Sequence, residues 1–268
     1  MTTGRTVTLP SAVIHNVVAF LSEFAGTFLF LFFAFSGTAL ANMYVATTPP
    51  LVTLLFIAFS FGLSLTANVW AFYRVSGGMF NPAVTLALYV VGGLSAARSA
   101  VVVAAQLLAG ICAAGVVSGL YPGEMAVDTG LGAGTSTVQG LFIEVFLTAE
   151  LVFVILMVAA EKHKATFMAP VAIGGAFTLT QLVGVHFTGG SLNPARSLGP
   201  AVVLGRWPEY FWIYFIGPIL GALLASAFYG LLNFLRWKEC NPGQDHDDME
   251  KGRVQMITEK RKGDESSF

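Results

Sequence analysis

Residues 76–90 read SGGMFNPAVTLALYV, and residues 188–202 read TGGSLNPARSLGPAV. Both stretches contain a Gly-Gly pair, an Asn-Pro-Ala triplet and a leucine at the same relative positions. Asn81 and Asn193 are favourable N-cap residues because the side-chain oxygen accepts from unpaired backbone N–H groups, and the proline after each suits the first helical position. The sequence therefore predicts an internal repeat with one short helix in each copy.

The composition indicates an integral membrane protein. Of the 268 residues, 55% are hydrophobic and 11% are charged, and the mean hydropathy is +0.73, whereas about 25% of residues are charged in an ordinary soluble domain. Long unbroken apolar stretches favour helices over a barrel, whose strands alternate apolar and polar residues. The net charge of −1 gives no indication of a nucleic-acid partner. The two cysteines match no metal-ligand spacing, and no nucleophile and base converge, so neither a metal, a cofactor nor an enzyme is predicted.

Six stretches are long and apolar enough to cross a bilayer, three in each half of the chain. They lie near residues 17–41, 51–72, 98–120, 138–160, 167–187 and 210–237. The apolar part of each Asn-Pro-Ala helix is shorter than the roughly 20 residues that a span requires. We therefore expect an all-α membrane protein with six transmembrane helices and two re-entrant half-helices that dip into the membrane and return.

The spans divide the chain into five segments. These are an N-terminal arm (1–16), a first repeat (17–120), a connecting loop (121–137), a second repeat (138–237) and a disordered tail (238–268). Because each half has three spans, the second half enters from the opposite side, and the repeat is inverted. Most loop Lys and Arg residues then fall on one side, so the positive-inside rule predicts cytoplasmic termini and an extracellular connecting loop.

Together these features resemble the aquaporins, the major intrinsic protein family. The features are the two Asn-Pro-Ala triplets, six spans, a glutamate opening each half and the sequence NPARS in the second motif, and the resemblance covers residues 17–237. The loop lengths and charged tail are similar to those of fungal members. The resemblance implies the aquaporin fold, passive conduction of water, and a homotetramer with one pore per subunit. It also implies a plasma-membrane location, with a vacuolar or other internal membrane as the alternative.

The resemblance implies that the repeated motifs line the pore. Its residues are Asn81, Pro82, Ala83, Asn193, Pro194 and Ala195. Two half-helices that meet at their N-termini direct positive dipole ends at one point, which repels cations, as is general for aquaporin-type pores. We expect both asparagine amide nitrogens to be free to donate to a passing water molecule, which breaks a continuous proton wire.

A second constriction is implied by matching single positions of the family: Phe61, Gln181, Gly190 and Arg196. Arg196 is expected to repel cations and to donate to permeant oxygen atoms. Water-selective members usually carry histidine where this chain has Gln181. Glutamine is polar but flexible, and it cannot become charged, so it leaves the width of the constriction open.

Three positions resemble the water-channel subgroup rather than the glycerol-conducting one. They are Phe61 in place of tryptophan, Ser197 in place of aspartate and Ala201 in place of a basic residue. Gln181 and Gly190, however, leave room for small neutral solutes such as glycerol, urea or hydrogen peroxide. The sequence predicts a water channel, and two alternatives stay open: a channel that also passes such solutes, and a largely closed, structural junction member of the same fold.

The glutamates that open the two halves have two interpretations. Glu23 and Glu144 are ionisable groups within apolar helices, a placement that by itself indicates a proton or ion relay. The family resemblance implies instead that they anchor the backbones of the re-entrant loops.

Overall fold

The structure is a computed structural model that describes residues 10–132 and 134–240. Most of the predicted N-terminal arm and nearly all of the predicted tail lie outside the described residues. Within those ranges the chain forms α-helices and no strand. The helices are α1 (Ser11–Met43), α2 (Pro50–Phe72), α3 (Pro82–Val90), α4 (Ala96–Leu120), α5 (Thr137–Ile155), α6 (Ala169–Thr188), α7 (Pro194–Leu204) and α8 (Ile213–Phe234).

Short non-α turns extend two of these helices and follow a third. A π-helical turn, Leu156–Ala160, continues α5, a 3-10 turn, Lys164–Met168, leads into α6, and a second 3-10 turn, Trp237–Glu239, follows α8. With these extensions, six helices of the described chain are long and apolar enough to cross a membrane: α1, α2, α4, α5, α6 and α8. The predicted all-α fold with six spans is confirmed.

The first helix is longer than its predicted span. It begins at Ser11, within the segment expected to be an arm, and directly follows Pro10. Proline is favoured at a helix start and costs stability inside a helix, and residues 11–16 contain neither proline nor glycine, so the helix continues back to that boundary.

The two short helices begin where the asparagines predict. The side chain of Asn81 caps α3 by accepting from the backbone N–H of Ala83 at 2.8 Å. The side chain of Asn193 caps α7 by accepting from Ala195 N at 2.9 Å and Arg196 N at 3.4 Å. With 9 and 11 residues, α3 and α7 are too short to span a bilayer.

Paired glycines let α2 and α6 pack closely across the bundle. Gly62 and Gly174 occupy equivalent positions in the two repeats. A Cβ atom at Gly62 would lie 1.7 Å from Thr178 Oγ1, and one at Gly174 would lie 1.7 Å from Thr66 Oγ1. Small residues at such crossings allow the close backbone approach on which membrane helix packing depends. The crossing joins the two halves at a point where only glycine fits.

Candidate pore

The two Asn-Pro-Ala segments hydrogen-bond to each other. Asn81 Nδ2 donates to the carbonyl oxygen of Leu192 at 2.8 Å, and Asn193 Nδ2 donates to the carbonyl oxygen of Phe80 at 2.9 Å. An amide NH₂ group has two protons, so each asparagine retains one for another acceptor. Half of the donor capacity of the two amide nitrogens thus holds the two segments together, a contact that the sequence did not predict.

The residues that accept these cross bonds have unusual backbone angles. Phe80 has φ 51° and Leu192 has φ 53°, which is the left-handed region that residues other than glycine seldom adopt. Each such residue costs about 1–3 kcal/mol and persists only when its surroundings hold it in place. The cross bonds, together with the glutamate contacts described next, supply that restraint.

Glu23 on α1 is buried, and its carboxylate holds the first re-entrant segment. It accepts four hydrogen bonds: from Ser76 Oγ at 2.6 Å, Met79 N at 3.1 Å, Phe80 N at 2.9 Å and Gln106 Nε2 at 2.8 Å. Two of these donors are backbone groups just ahead of the Asn81 cap. The carboxylate thus satisfies N–H groups that the loop itself leaves unpaired.

Glu144 on α5 makes the equivalent contacts in the second half. It accepts from Thr188 Oγ1 at 2.6 Å, Ser191 N at 2.9 Å and Leu192 N at 2.8 Å. The position equivalent to Gln106 is Pro218, which has no side-chain donor. Each glutamate therefore contacts the re-entrant segment of its own half, and the second has one donor fewer than the first.

A cavity of about 400 Å³ leads from one end of the bundle to the asparagine pair. Its wall includes Asn81 and Asn193, and its mouth includes Tyr73 and Lys162. At the mouth, Lys162 Nζ donates to Tyr73 Oη at 3.2 Å and to Ala159 O at 2.5 Å. The same nitrogen also lies 5.3 Å from the centre of the Tyr73 ring. Both asparagines thus border a space that is large enough for water.

The structure brings together the four residues predicted for a second constriction. Gln181 Nε2 donates to Gly190 O at 3.0 Å, and Arg196 Cζ lies 5.1 Å from the centre of the Phe61 ring. Arg196 donates through Nη1 to Val127 O at 2.6 Å and through Nη2 to Gly189 O at 3.2 Å. The guanidinium is thus held by two carbonyl groups and by the face of the Phe61 ring.

Two polar atoms of the residues predicted for the second constriction have no hydrogen-bond partner in the described chain. They are Gln181 Oε1 and Arg196 Nε, and both are buried. Buried polar atoms are seldom left unpaired, so each of these residues keeps one unused group, an acceptor on Gln181 and a donor on Arg196, for a molecule that has both functions. Water and alcohols have both.

Sequence reasoning missed several aromatic side chains beside these residues. Arg196 Cζ lies 5.6 Å from the centre of the Phe35 ring, and Phe61 contacts the rings of Phe30 and Phe177 edge-on. Phe177 lies one helical turn before Gln181. This four-residue spacing was the signal from which its position near the constriction could have been predicted. In an apolar helix, however, a phenylalanine that faces lipid has the same spacing as one that faces a pore.

The sequence analysis also did not predict a cluster of three hydroxyl groups around the segment that carries Arg196. Ser197 Oγ lies 2.6 Å from Ser191 Oγ and accepts from Thr129 Oγ1 at 3.0 Å. The cluster ties the connecting loop to both sides of the second Asn-Pro-Ala triplet. It therefore stabilises the backbone from which Arg196 projects.

Comparison with known proteins gives the family. The family described as Major intrinsic protein matches residues 11–229. Aquaporin-7 of Botryotinia fuckeliana (strain B05.10) is 54% identical over 239 residues, which cover 86% of this chain and 53% of that protein. Aquaporin-1 of Gibberella zeae is 46% identical over 244 residues, covering 88% of this chain and 76% of that protein.

Several curated relatives that the chain matches, aquaporin-7 of Botryotinia fuckeliana among them, are longer, and this chain spans about half their length. Among solved structures, the X-ray structure of the aquaglyceroporin from Plasmodium falciparum is similar, with a TM-score of 0.70 and 25% sequence identity. The similarity covers 80% of this chain and 95% of that one. With a family match over most of its length, this multi-pass membrane protein belongs to the major intrinsic protein family, as a fungal aquaporin.

Proposed function

We propose that this chain forms a passive channel for water that excludes protons and ions. The observation that carries the proposal is the asparagine pair: Asn81 and Asn193 each bind the opposite segment with one amide proton and border the cavity. Their remaining protons are available to the oxygen of one water molecule. A passive channel needs neither a cofactor nor a catalytic group, and we propose neither here.

Proton exclusion follows from how such a water is held. When both asparagines donate to its oxygen, its own protons point away along the two arms of the pore. No neighbouring water can then pass a proton through it without breaking those bonds. The N-termini of α3 and α7 meet at the same place, and each contributes roughly half an elementary positive charge, which repels cations.

Arg196 is proposed as the second barrier to cations. Its charge is buried, and two carbonyl groups fix its position, so a cation that approaches cannot displace it. Phe61, Gln181 and Gly190 would complete the constriction. A neutral water molecule can exchange hydrogen bonds with Arg196 and Gln181 as it passes, whereas an ion must also lose its hydration shell.

Two alternatives have specific support. Passage of glycerol or another small neutral solute is supported by Gln181 at the position where water-selective members have histidine, and by the structural likeness to a protein named as an aquaglyceroporin. A closed, junction-type member is supported by the complete burial of Phe61 and Gln181, because a water-sized molecule reaches neither side chain.

The proposed organisation follows the inverted repeat. Residues 17–120 and 138–237 form the two halves, Glu23 and Glu144 anchor their re-entrant segments, and the loop 121–137 is extracellular, with both termini in the cytoplasm. Four chains would assemble as a homotetramer with one pore each, most simply in the plasma membrane.

Stopped-flow light scattering of proteoliposomes tests this proposal. Vesicles with the wild-type chain are expected to shrink in hyperosmotic sucrose much faster than protein-free vesicles. Re-swelling in glycerol distinguishes a strict water channel from one that also conducts solutes. Equal shrinkage rates with and without protein would contradict the channel and favour the junction alternative.

A further inference from the structure

Three phenylalanines from three helices form a ring layer inside the bundle. Phe30 lies on α1, Phe61 on α2 and Phe177 on α6. The ring centres are 6.4 Å apart for Phe30–Phe61, 5.8 Å for Phe30–Phe177 and 5.9 Å for Phe61–Phe177, with interplanar angles of 71°, 65° and 68°. Every ring thus meets the other two edge to face, which is a preferred geometry for aromatic pairs.

The ring layer closes the inner end of the cavity. Along α2 and the residue that follows it, the cavity wall contains Tyr73, Val69 and Leu65 at intervals of four residues, and Phe61 is the next position in this series. Along α6 the wall contains Ile173 and then Phe177, and Gln181 is next. Neither Phe61 nor Gln181 is among the cavity's lining residues in the described chain. The open space therefore ends one helical turn, about 5.4 Å, short of the Arg196 level.

Burial shows that the rings leave no gap. Phe30 and Phe177 are each 1% exposed, and Phe61 is 0% exposed. A molecule that moves past these rings toward Arg196 must therefore displace at least one of them. Because each ring packs against two others and has only two rotatable bonds, the layer resists widening more than a single flexible side chain does.

Unlike the three phenylalanines, Gln181 lies against the neighbouring backbone. Its amide donates to the carbonyl oxygen of Gly190, so the side chain is turned to the neighbouring backbone. A Cβ atom at Gly190 would lie 2.6 Å from Gln181 Oε1, so the glutamine fills the space that the missing Gly190 side chain leaves. Gln181 is thus tied to the wall, and it does not contribute to the ring layer.

We propose that Phe30 and Phe177, with Phe61, are the residues that determine solute size in this chain. The proposal rests on the proposed channel function. Apolar rings offer no hydrogen bonds to compensate a polyol for the water that it loses, and a three-carbon solute needs a larger ring displacement than water does. The ring layer therefore excludes glycerol even though histidine is absent at position 181.

The test is a paired permeability measurement on full-length chains in proteoliposomes. The variants are Phe177→Val and the milder Phe30→Leu, each of which removes ring atoms from the layer. Phe153→Val is the matched control, since Phe153 packs against Phe228, with ring centres 5.1 Å apart, and is absent from the described cavity wall. Gln181→His tests the competing explanation. Water and glycerol fluxes are measured for every protein in the same preparation.

We expect both ring variants to raise glycerol permeability about tenfold over the Phe153→Val control, the change given by a barrier lower by about 1.4 kcal/mol. Gln181→His is expected to leave glycerol exclusion unchanged. If the ring variants conduct water but still exclude glycerol as the control does, or if Gln181→His alone changes glycerol flux, the ring layer does not set selectivity. A wild type without water flux would instead overturn the channel function itself, and the ring layer with it.

Discussion

Asn81 Nδ2 lies 2.8 Å from the carbonyl oxygen of Leu192, a residue of the other repeat. This bond and its counterpart from Asn193 to Phe80 make the centre of the protein a single hydrogen-bonded unit built from both halves. The asparagine side chain does two tasks, because its oxygen caps a helix while its nitrogen bridges the repeats. Separating these tasks tests the arrangement.

The variant Asn81→Asp keeps the capping oxygen but loses the bridging donor. We expect a loss of about 1–3 kcal/mol in stability, because the buried Leu192 carbonyl loses its partner. Asn42→Asp is the matched control, since Asn42 Nδ2 also donates to a distant carbonyl, that of Ala126, but at an exposed site. Thermal unfolding in detergent measures both variants. Equal shifts would show that the bridge contributes nothing beyond a surface hydrogen bond.

The variant Glu144→Gln removes one acceptor oxygen from a carboxylate that accepts three hydrogen bonds. At least one donor of the second re-entrant segment then faces an NH₂ group, so we expect a loss of about 1–3 kcal/mol. Glu150→Gln, at an exposed position on the same membrane-spanning helix, is expected to lose no stability, because replacing a carboxylate that faces lipid or detergent with a neutral amide removes an unfavourable charge. Melting temperatures of the two purified variants provide the comparison, and a shift in Glu150→Gln as large as that in Glu144→Gln would refute the anchoring role.

Adjacent glycines on α6 are expected to respond in opposite ways to alanine. At Gly174 a Cβ atom would lie 1.7 Å from Thr66 Oγ1 and 2.7 Å from Gly62 O, whereas at Gly175 it meets nothing within 4 Å. Gly174→Ala therefore forces α2 and α6 apart and lowers both yield and melting temperature. Gly175→Ala is neutral or stabilising by up to about 1 kcal/mol, since alanine favours helix. Similar behaviour of the two variants would contradict the close crossing.

An ion pair beyond the fourth span is expected to make stability depend on pH. Burial raises the pKa of Glu161, but hydrogen bonds from Lys238 and Tyr229 outweigh burial, so the pKa lies below its ordinary value of 4.5. Glu161 Oε2 lies 2.6 Å from Lys238 Nζ, and the lysine is 62% exposed, so the pair contributes less than about 1 kcal/mol. A carboxylate with a lowered pKa stabilises the fold above pH 4.5, and this contribution disappears as the pH falls through the folded pKa.

The measurement is the difference in melting temperature between wild type and Glu161→Gln across an acid titration. This difference is expected to be present at neutral pH and to vanish in acid. Glu239→Gln serves as the control, because Glu239 is 71% exposed and its partner Arg236 is 3.8 Å away. A difference that grows on acidification would contradict the assigned sign.

The sequence allowed some parts of this structure to be predicted because a short local signal specifies them. The caps at Asn81 and Asn193 depend on residues next to each other in the chain, and they were located correctly. The clustering of Phe61, Gln181, Gly190 and Arg196 came from family resemblance, and their role in selectivity stays a prediction.

Other features of the structure depend on which side chains of a helix face the protein interior. An unbroken apolar sequence does not encode this orientation. Phe30 is buried in the ring layer, whereas Phe33 on the same helix is 56% exposed on the outer surface. Both are phenylalanines in an unbroken apolar run, and lipid and protein interior offer similar surroundings to either. The contact between Gln106 and Glu23 was missed for a related reason, because it joins two helices that are distant in sequence.

The central claim is that water passes while protons do not, and both fluxes can be measured on one preparation of proteoliposomes. Vesicles that enclose a pH-sensitive dye are subjected first to an osmotic step and then to a pH step. We expect water permeability well above that of protein-free vesicles, and decay of the pH gradient at the protein-free rate. A pH gradient that collapses as fast as water equilibrates, or water permeability no higher than that of the bare bilayer, would contradict the account.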